Sequence, residues 1–269
     1  MKTLIKELCS LEGVSGREYA VREFIKTKLK ESPAVTGITV DPLGNILANV
    51  TGKSRAKQKL MFAAHMDEVG FIITGVTDEG FLRFAGVGGI DQSVVYGRRV
   101  IVNGHTGVIG GKAVHQLKGD DKKKSVPLDK LLIDVGADSK EEALKIAGPG
   151  DVAVFESEYR EIGSLIKARA LDDRAGCALL LKLAEATPEY DITLAFTVQE
   201  EVGLRGAKTA AYGISPDVAV VVDSTTAADT AGVSEQKQVC CVGKGPVVSF
   251  MDNRTLYDRN LFGLVLDTA

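Results

Sequence analysis

A chain of 269 residues, 45% of them apolar, has enough Val, Ile, Leu and Ala to bury a substantial core in one large domain or two smaller ones. Its formal net charge of -3 leaves no basic footprint, and no apolar stretch is long enough to span a bilayer, so neither nucleic acid nor membrane is an expected partner. The four cysteines form no CxxC pair and no disulfide framework, and the N-terminus carries charges where a signal peptide needs an apolar core, which points to a cytoplasmic protein with reduced thiols.

The beginning reads as helical. In "SGREYAVREFIKTKLKE", Ser15 and Glu18 stand at capping-box spacing, and Ala20, Val21, Phe24, Ile25 and Leu29 then recur at helical spacing. "GITVDPLGNILANV" predicts two strands turning at Asp41-Pro42-Leu43-Gly44. "KLMFAAH" is a short unbroken apolar run, the pattern of a strand covered on both faces. Over 68–163 the texture changes to short β-type segments ("GFIITGV", "FLRFAG", "RRVIVNG", "TGVIGG", "DVAVFE") separated by Gly-rich turns, as in a compact all-β unit. The charge run "KGDDKKKS" inside it reads as a solvated loop. After "SLIKARA", "DDRAGCALLLKLAEATPE" predicts a helix, "DITLAFTVQ" a strand, "LRGAKTAAYG" a helix and "DVAVVVDS" a strand. "GPVVSF" predicts a further strand and "DNRTLYDRNLFGL" the start of a last helix. The expected organisation is an α/β domain in two parts, 1–67 and 164–269, around a small β domain over 68–163.

Three of the apolar strands end in metal-type ligands. "LMFAAH" ends at His65 with Asp67 beyond it, "TLAFTVQ" at Glu200 and Glu201, and "VAVVVD" at Asp223. Ligands of open α/β sheets bind outside the carboxyl ends of the strands. Asp172 and Asp173 open a helix after a strand and add carboxylates to the same edge. A lone histidine is more often a core residue, and a "DD" before a helix more often a cap; it is the coincidence at one edge that points to a site. Ionised carboxylates crowded together repel unless cations lie among them. Two cations about 3.5–4 Å apart need a bridging ligand, generate a hydroxide from the water between them, and still need a base to move its proton. The doublet "EE" offers one Glu as a ligand and the other as that base. The spacing of His65 and Asp67 lets the Asp accept the second ring N–H of the histidine and fix its tautomer.

The segments "AAHMDEVGF", "ALDDRAG", "VQEEVGLRGA" and "VVDST" together resemble the signatures of the dinuclear-metal tetrahedral aminopeptidases, the glutamyl or deblocking aminopeptidases, some of whose relatives carry the name endoglucanase. The resemblance extends to "DPLGNILA" and "GKGPVVSFMDNRTLYDR", nearly the whole chain. It implies an α/β fold, a mixed-sheet sandwich of the zinc-aminopeptidase type with an inserted small β-barrel-like domain that mediates assembly. It implies a homo-oligomer, a dodecamer, that hydrolyses N-terminal residues from peptide substrates by a metal-bridged hydroxide, with two divalent metal ions per subunit, zinc or cobalt. Carried over by position, it makes Asp172 the bridging ligand, His65 and Asp223 the rest of one metal site, Glu201 a ligand of the other metal, Glu200 the general base and Asp67 the residue that orients His65.

The family supplies one more metal-binding histidine from a segment close to its C-terminus. The histidines here are His65, His105 and His115, and the last two fall in the β insertion. The sequence given is therefore expected to be truncated and to hold its second ion weakly. A family member acting only as an assembly subunit is the alternative expectation, beside another co-catalytic zinc hydrolase of the same fold. A glycosidase is disfavoured, because its two carboxyls flank a sugar without metals.

Overall fold

The computed structural model describes residues 1–111 and 125–268. The chain divides into two compact units, Met1–Asp223 and a second from Ser224 onwards. In the first, helices α1 (Lys2–Ser10) and α2 (Tyr19–Lys30) precede strands β1 (Val35–Val40), β2 (Ile46–Val50) and β3 (Leu60–His65). Strands β4 (Gly70–Val76), β5 (Leu82–Val87), β6 (Arg99–Val102), β7 (His105–Gly110) and β8 (Leu132–Asp134) follow, then helix α3 (Lys140–Ile146) and strand β9 (Val152–Phe155). A small ribbon of β10 (Arg160–Ile162) and β11 (Leu165–Lys167) leads to helix α4 (Leu171–Glu185), strand β12 (Ile192–Thr197), helix α5 (Arg205–Ile214) and strand β13 (Val218–Val221).

The main sheet has the order β1-β2-β12-β3-β13. It is mixed: β1 and β12 run antiparallel to β2, while β12 and β13 run parallel to β3. The interior strand β3 is covered on both faces, as its apolar run predicts. Ala64 belongs to the larger core with Leu8 of α1, Ile25 of α2 and Leu181 of α4, whereas Met61 and Ala63 pack with Ala195 and with Ala210 of α5. This alternation is the period-2 rule of a pleated strand. Strands β4-β5-β8-β7-β6-β9 close into a barrel with its own core, in which the Phe71 ring meets Phe84 and Phe155 edge to face at 5.0 and 5.1 Å. The second unit holds α6 (Arg259–Thr268), which begins inside the segment expected to start a helix and runs past its end.

Three expectations need correction. Ser15 and Glu18 do not form a capping box: α2 begins at Tyr19 with Glu18 as its N-cap residue and no side-chain cap. Both side chains are drawn instead to partners distant in sequence, described below. Helix α3 and strand β8 were not read from the β-rich texture, although Ser139 Oγ accepts the N–H of Glu142 (3.3 Å), an ordinary helix-start signal. "GPVVSF" forms no strand among the described residues, because apolar β-formers make a strand only where a ladder is on offer, and the described pairing nearby is the single bridge Met251–Leu256. The charge run lies outside the described residues except for Ser125, as does His115.

Behind the sheet edge lies a buried ion cluster. Glu68 (2% exposed) pairs with Arg169 (Nε–Oε2 2.7 Å) and Arg174 (Nη2–Oε1 3.6 Å), and its Oε1 accepts the N–H of Gly13 (3.1 Å). Arg174, fully buried, also donates from Nη1 to the carbonyls of Leu8 (2.7 Å) and Leu11 (3.2 Å), satisfying the C-terminal end of α1. Arg174→Met should leave these carbonyls bare and Glu68 short of a cation, and should lower stability by ~3 kcal/mol or more. Urea denaturation checks this; a midpoint unchanged from wild type would contradict it.

Candidate metal centre

Parallel pairing brings three strand ends level. Thr197 of β12 lies opposite His65 of β3, and Val221 of β13 opposite Ala63. The pairing runs a little further, with Met66 N–H donating to Thr197 (2.7 Å) and Val222 N–H to Ala63 (2.8 Å). His65, the doublet and Asp223 therefore leave the sheet at one edge. Beyond Thr197 the chain turns sharply. Gln199 takes a left-handed φ of 54°, and the N–H groups of Gly203 and Leu204 both close back on the carbonyl of Glu200 (2.9 Å each). Glu200 and Glu201 therefore sit in a turn, where two adjacent side chains need not point to opposite faces. Behind the turn Gly206 is indispensable, since a Cβ there would stand 2.3 Å from the carbonyl oxygen of Val198. The fourth contribution comes from the start of α4, where Asp172 and Asp173 have non-helical backbone angles.

The ring of His65 is buried between carboxylates. Its Nε2 lies 3.0 Å from Asp172 Oδ1 and 3.8 Å from Asp223 Oδ1, and its Nδ1 lies 3.1 Å from the carbonyl oxygen of Asp67 and 3.4 Å from Oδ1 of that residue. Ligand atoms of His65, Asp172 and Glu201 all fall within 4.8 Å of one another, as do those of His65, Asp173 and Asp223. Asp67, fully buried, accepts the N–H of Glu200 on Oδ1 (2.9 Å), and the N–H of Glu201 (3.1 Å) and the hydroxyl of Ser15 (2.6 Å) on Oδ2.

The crowding shows in the protonation equilibria. Burial pulls the His65 pKa down, but the hydrogen bonds with Asp172 and Asp67 outweigh it and carry it to about 11, so the carboxylates hold a positive charge at that ring. Asp173 goes up to about 8 through burial, with the charge of Asp223 adding to it against the pull of His65. Glu201 goes up to about 7 through burial, helped by Asp172, Glu200 and Asp67 against His65. Glu200 is raised by burial, helped by Asp223, Asp67 and Asp172 against His65. A cluster of this kind calls for cationic charge, and an imidazole among carboxylates is a donor set that fits a divalent cation.

The structure brings together every residue picked from the strand ends and the helix start. It differs from expectation over Asp67, whose backbone carbonyl is nearer the His65 ring than its carboxylate is, while the carboxylate holds the backbone of the doublet. Asp173 belongs to the cluster too: it accepts the N–H of His65 (3.2 Å) and the N–H of Gly176 (2.9 Å), so it is a cap and a site residue at once. Ser15 and Glu18 also reach this edge, and their sequence signal was absorbed by the capping-box reading. His105 stands apart on the barrel, exposed, with Nδ1 3.1 Å from the carbonyl oxygen of Asn103.

Residues 44–269 match the M42 glutamyl aminopeptidase family. A protein of Acetivibrio thermocellus, provisionally named an aminopeptidase, is 43% identical over 271 residues, covering 100% of this chain and 79% of its own length. Among solved structures, an aminopeptidase of the archaeon Desulfurococcus kamchatkensis superposes with a TM-score of 0.92 at 39% identity, over 99% of this chain and 76% of its own. The TET1 peptidase of Pyrococcus horikoshii, which can assemble into a tetrahedron or a large octahedral shell, does so with a TM-score of 0.84 at 38% identity, over 99% and 80%. The mixed sheet and the closed barrel are thus the architecture of these structural neighbours.

In metal-free buffer the cluster should make the protein less stable as pH rises. Asp173 and Glu201, ordinarily near 3.8 and 4.5, bind protons in the fold up to about 8 and about 7, and His65, ordinarily near 6.5, up to about 11. The folded state therefore binds more protons than the unfolded one across this whole range, and stability falls with pH. Melting scans from pH 5 to pH 9 in chelator should show Tm decreasing, with zinc or cobalt raising Tm most at the alkaline end. A Tm in chelator that rises from pH 6 to pH 9 would contradict the sign.

Proposed function

The chain belongs to the M42 glutamyl aminopeptidase family, and on that premise we propose that it removes N-terminal residues from peptides at the cluster around His65, with divalent cations held by His65, Asp172, Asp223 and Glu201. The observation that supports this reading is one buried imidazole among carboxylates that arrive from separate strands and a helix start. Imidazole with carboxylate ligands suits zinc or cobalt better than magnesium. Bound there, a pair of such ions would supply the Lewis acidity that polarises a peptide carbonyl and acidifies the attacking water.

The residues divide the remaining work. Asp172, with Oδ1 3.0 Å from His65 Nε2, is exposed and has ligand atoms of both His65 and Glu201 within 4.8 Å, so it would serve as the ligand shared by both ions. His65 and Asp223 complete one ligand set, and Glu201 serves the other. Glu200 is the general base: it takes a proton from the attacking water and returns it to the leaving amine. A carboxylate with a raised pKa suits a group that must both accept and release a proton near neutral pH. Asp67 keeps the doublet's backbone in place and borders the His65 ring at Nδ1. The same reading makes the chain one subunit of a homo-oligomer, a dodecamer, with the β domain over 68–163 as its assembly element between catalytic parts 1–67 and 164–269. No described helix is long and apolar enough to cross a membrane.

Two variants separate these roles. Glu200→Gln should abolish turnover of aminoacyl substrates while leaving metal content almost intact, read by activity assay and elemental analysis on the same sample. Asp67→Ala should lower metal affinity or activity about 10–100-fold, because the ring and the doublet both lose a support. Turnover that survives in Glu200→Gln would remove the base assignment.

A further inference from the structure

Three consecutive backbone N–H groups, those of Gln199, Glu200 and Glu201, end on two buried carboxylates. Asp67 takes the second and third. The first goes to Oε1 of Glu18 (3.2 Å), which also accepts the N–H of Gly16 (2.7 Å) and is 4% exposed. Ser15, three residues before Glu18, donates its hydroxyl to the same Asp67 oxygen that holds Glu201 (2.6 Å). The short stretch "SGRE" thus touches the turn twice, once directly at Gln199 and once through Asp67 at the doublet.

We infer that the loop Ser15–Glu18 is a clamp on the Gln199–Glu201 turn, with Ser15 and Glu18 acting as positioning residues for Glu200 and Glu201. The inference rests on the reading of Glu200 as the base. A turn entered through a left-handed non-glycine residue, Gln199, is not a conformation the chain adopts unaided. Its N–H needs a fixed acceptor, and a strand partner cannot supply one past Thr197. A buried carboxylate beside Asp67 is an expensive acceptor, since burial and the charge of Asp67 both act to raise the Glu18 pKa. A helix N-cap requires no such burial. With Ser15 on Oδ2, the Asp67 carboxylate has its rotation fixed, so its two oxygens meet two adjacent N–H groups together. The consequence is that the Cα–Cβ directions of both glutamates are set jointly by Asp67 at the end of β3 and by the N-terminal loop that fixes Asp67 and Gln199.

The test uses the metal-loaded protein and four variants, Ser15→Ala, Ser15→Thr, Glu18→Ala and Glu18→Gln, with two independent readouts. Amide hydrogen exchange reads the clamp without any need for activity. Glu18→Ala should speed exchange at Gln199, and Ser15→Ala at Glu200 and Glu201, with β12 residues 192–197 unchanged. In steady-state kinetics both alanine variants should lose about 10–100-fold in kcat with KM within about twofold and metal content retained, as expected when a reacting group is displaced by about an ångström. Ser15→Thr keeps the hydroxyl and Glu18→Gln keeps an acceptor oxygen, so both should recover most of the loss. If Glu18→Ala does not fold, Ser15→Ala and its threonine rescue decide the matter. Unchanged exchange over 199–201 in a folded alanine variant would overturn the clamp. Faster exchange with unchanged kcat would overturn the positioning role. A wild-type protein that turns over no peptide would sink the functional reading instead, leaving the exchange data to judge the clamp alone.

Discussion

The carboxylate of Asp67 is the constraint on which this sheet edge depends. A fully buried carboxylate is costly unless its lone pairs are occupied. Here they are taken by two backbone N–H groups and a hydroxyl, with the His65 ring alongside. These partners come from the N-terminal loop, the end of β3 and the turn after β12, so satisfying one side chain fixes three segments at once. The same partners hold the Asp67 pKa below its ordinary value in spite of burial. The carboxylate therefore stays charged and structural, and does not compete for a proton near neutral pH.

Around that anchor, packing decides how closely the parts approach. Small residues on neighbouring strands, Ala63, Ala64 and Ala195, let helices cover both faces of the sheet without pushing its ends apart. Gly206 lets α5 start directly against Val198, and buried Asn45 bridges the two by accepting the N–H of Val198 (2.9 Å) and donating to the carbonyl of Gly206 (2.9 Å). On the opposite side Cys177 of α4 donates its thiol to the carbonyl of His65 (3.1 Å), so the backbone of the one clustered imidazole is held as well as its ring. The Glu68–Arg169–Arg174 cluster closes the back of this edge and ties it to α1. Rigidity at the site is thus built from polar bonds at the rim of an apolar sandwich, which is where a sheet end has backbone groups to offer.

What was legible in the sequence follows from what is local. The runs "LMFAAH", "DITLAFTVQ" and "DVAVVVDS" declare buried strands, and polar residues at their ends declare an edge; parallel register then makes the ends coincide. Asp173 is legible as a carboxylate at this edge but its bond to the backbone of His65 is not, because a carboxylate that accepts from the first turn of a helix looks the same in sequence whether or not it also accepts from a histidine on another strand. Ser15 and Glu18 failed for the same reason. Their spacing is that of a capping box, and only the fold reveals that each prefers a partner more than fifty residues away. "GPVVSF" erred in the other direction: a good strand composition has no meaning until a neighbouring strand exists to receive it.

The doublet shows how two identical neighbours come to be distinguishable. Their N–H groups end on the two oxygens of one carboxylate, so their backbones are held almost alike, and neither side chain is needed to hold the turn. What separates them is reach. Glu201 brings an oxygen within 4.8 Å of ligand atoms of both His65 and Asp172, and its pKa rises to about 7. Glu200 is the first of the pair, and its own carbonyl closes the turn through the N–H groups of Gly203 and Leu204. It stands outside both groupings of ligand atoms while feeling the charges of Asp223, Asp67 and Asp172. The proposed division, a ligand and a base, therefore needs no difference in residue type. A turn that ends one strand, pinned by a carboxylate from the end of the next, is enough to aim one glutamate into the cluster and leave the other beside it.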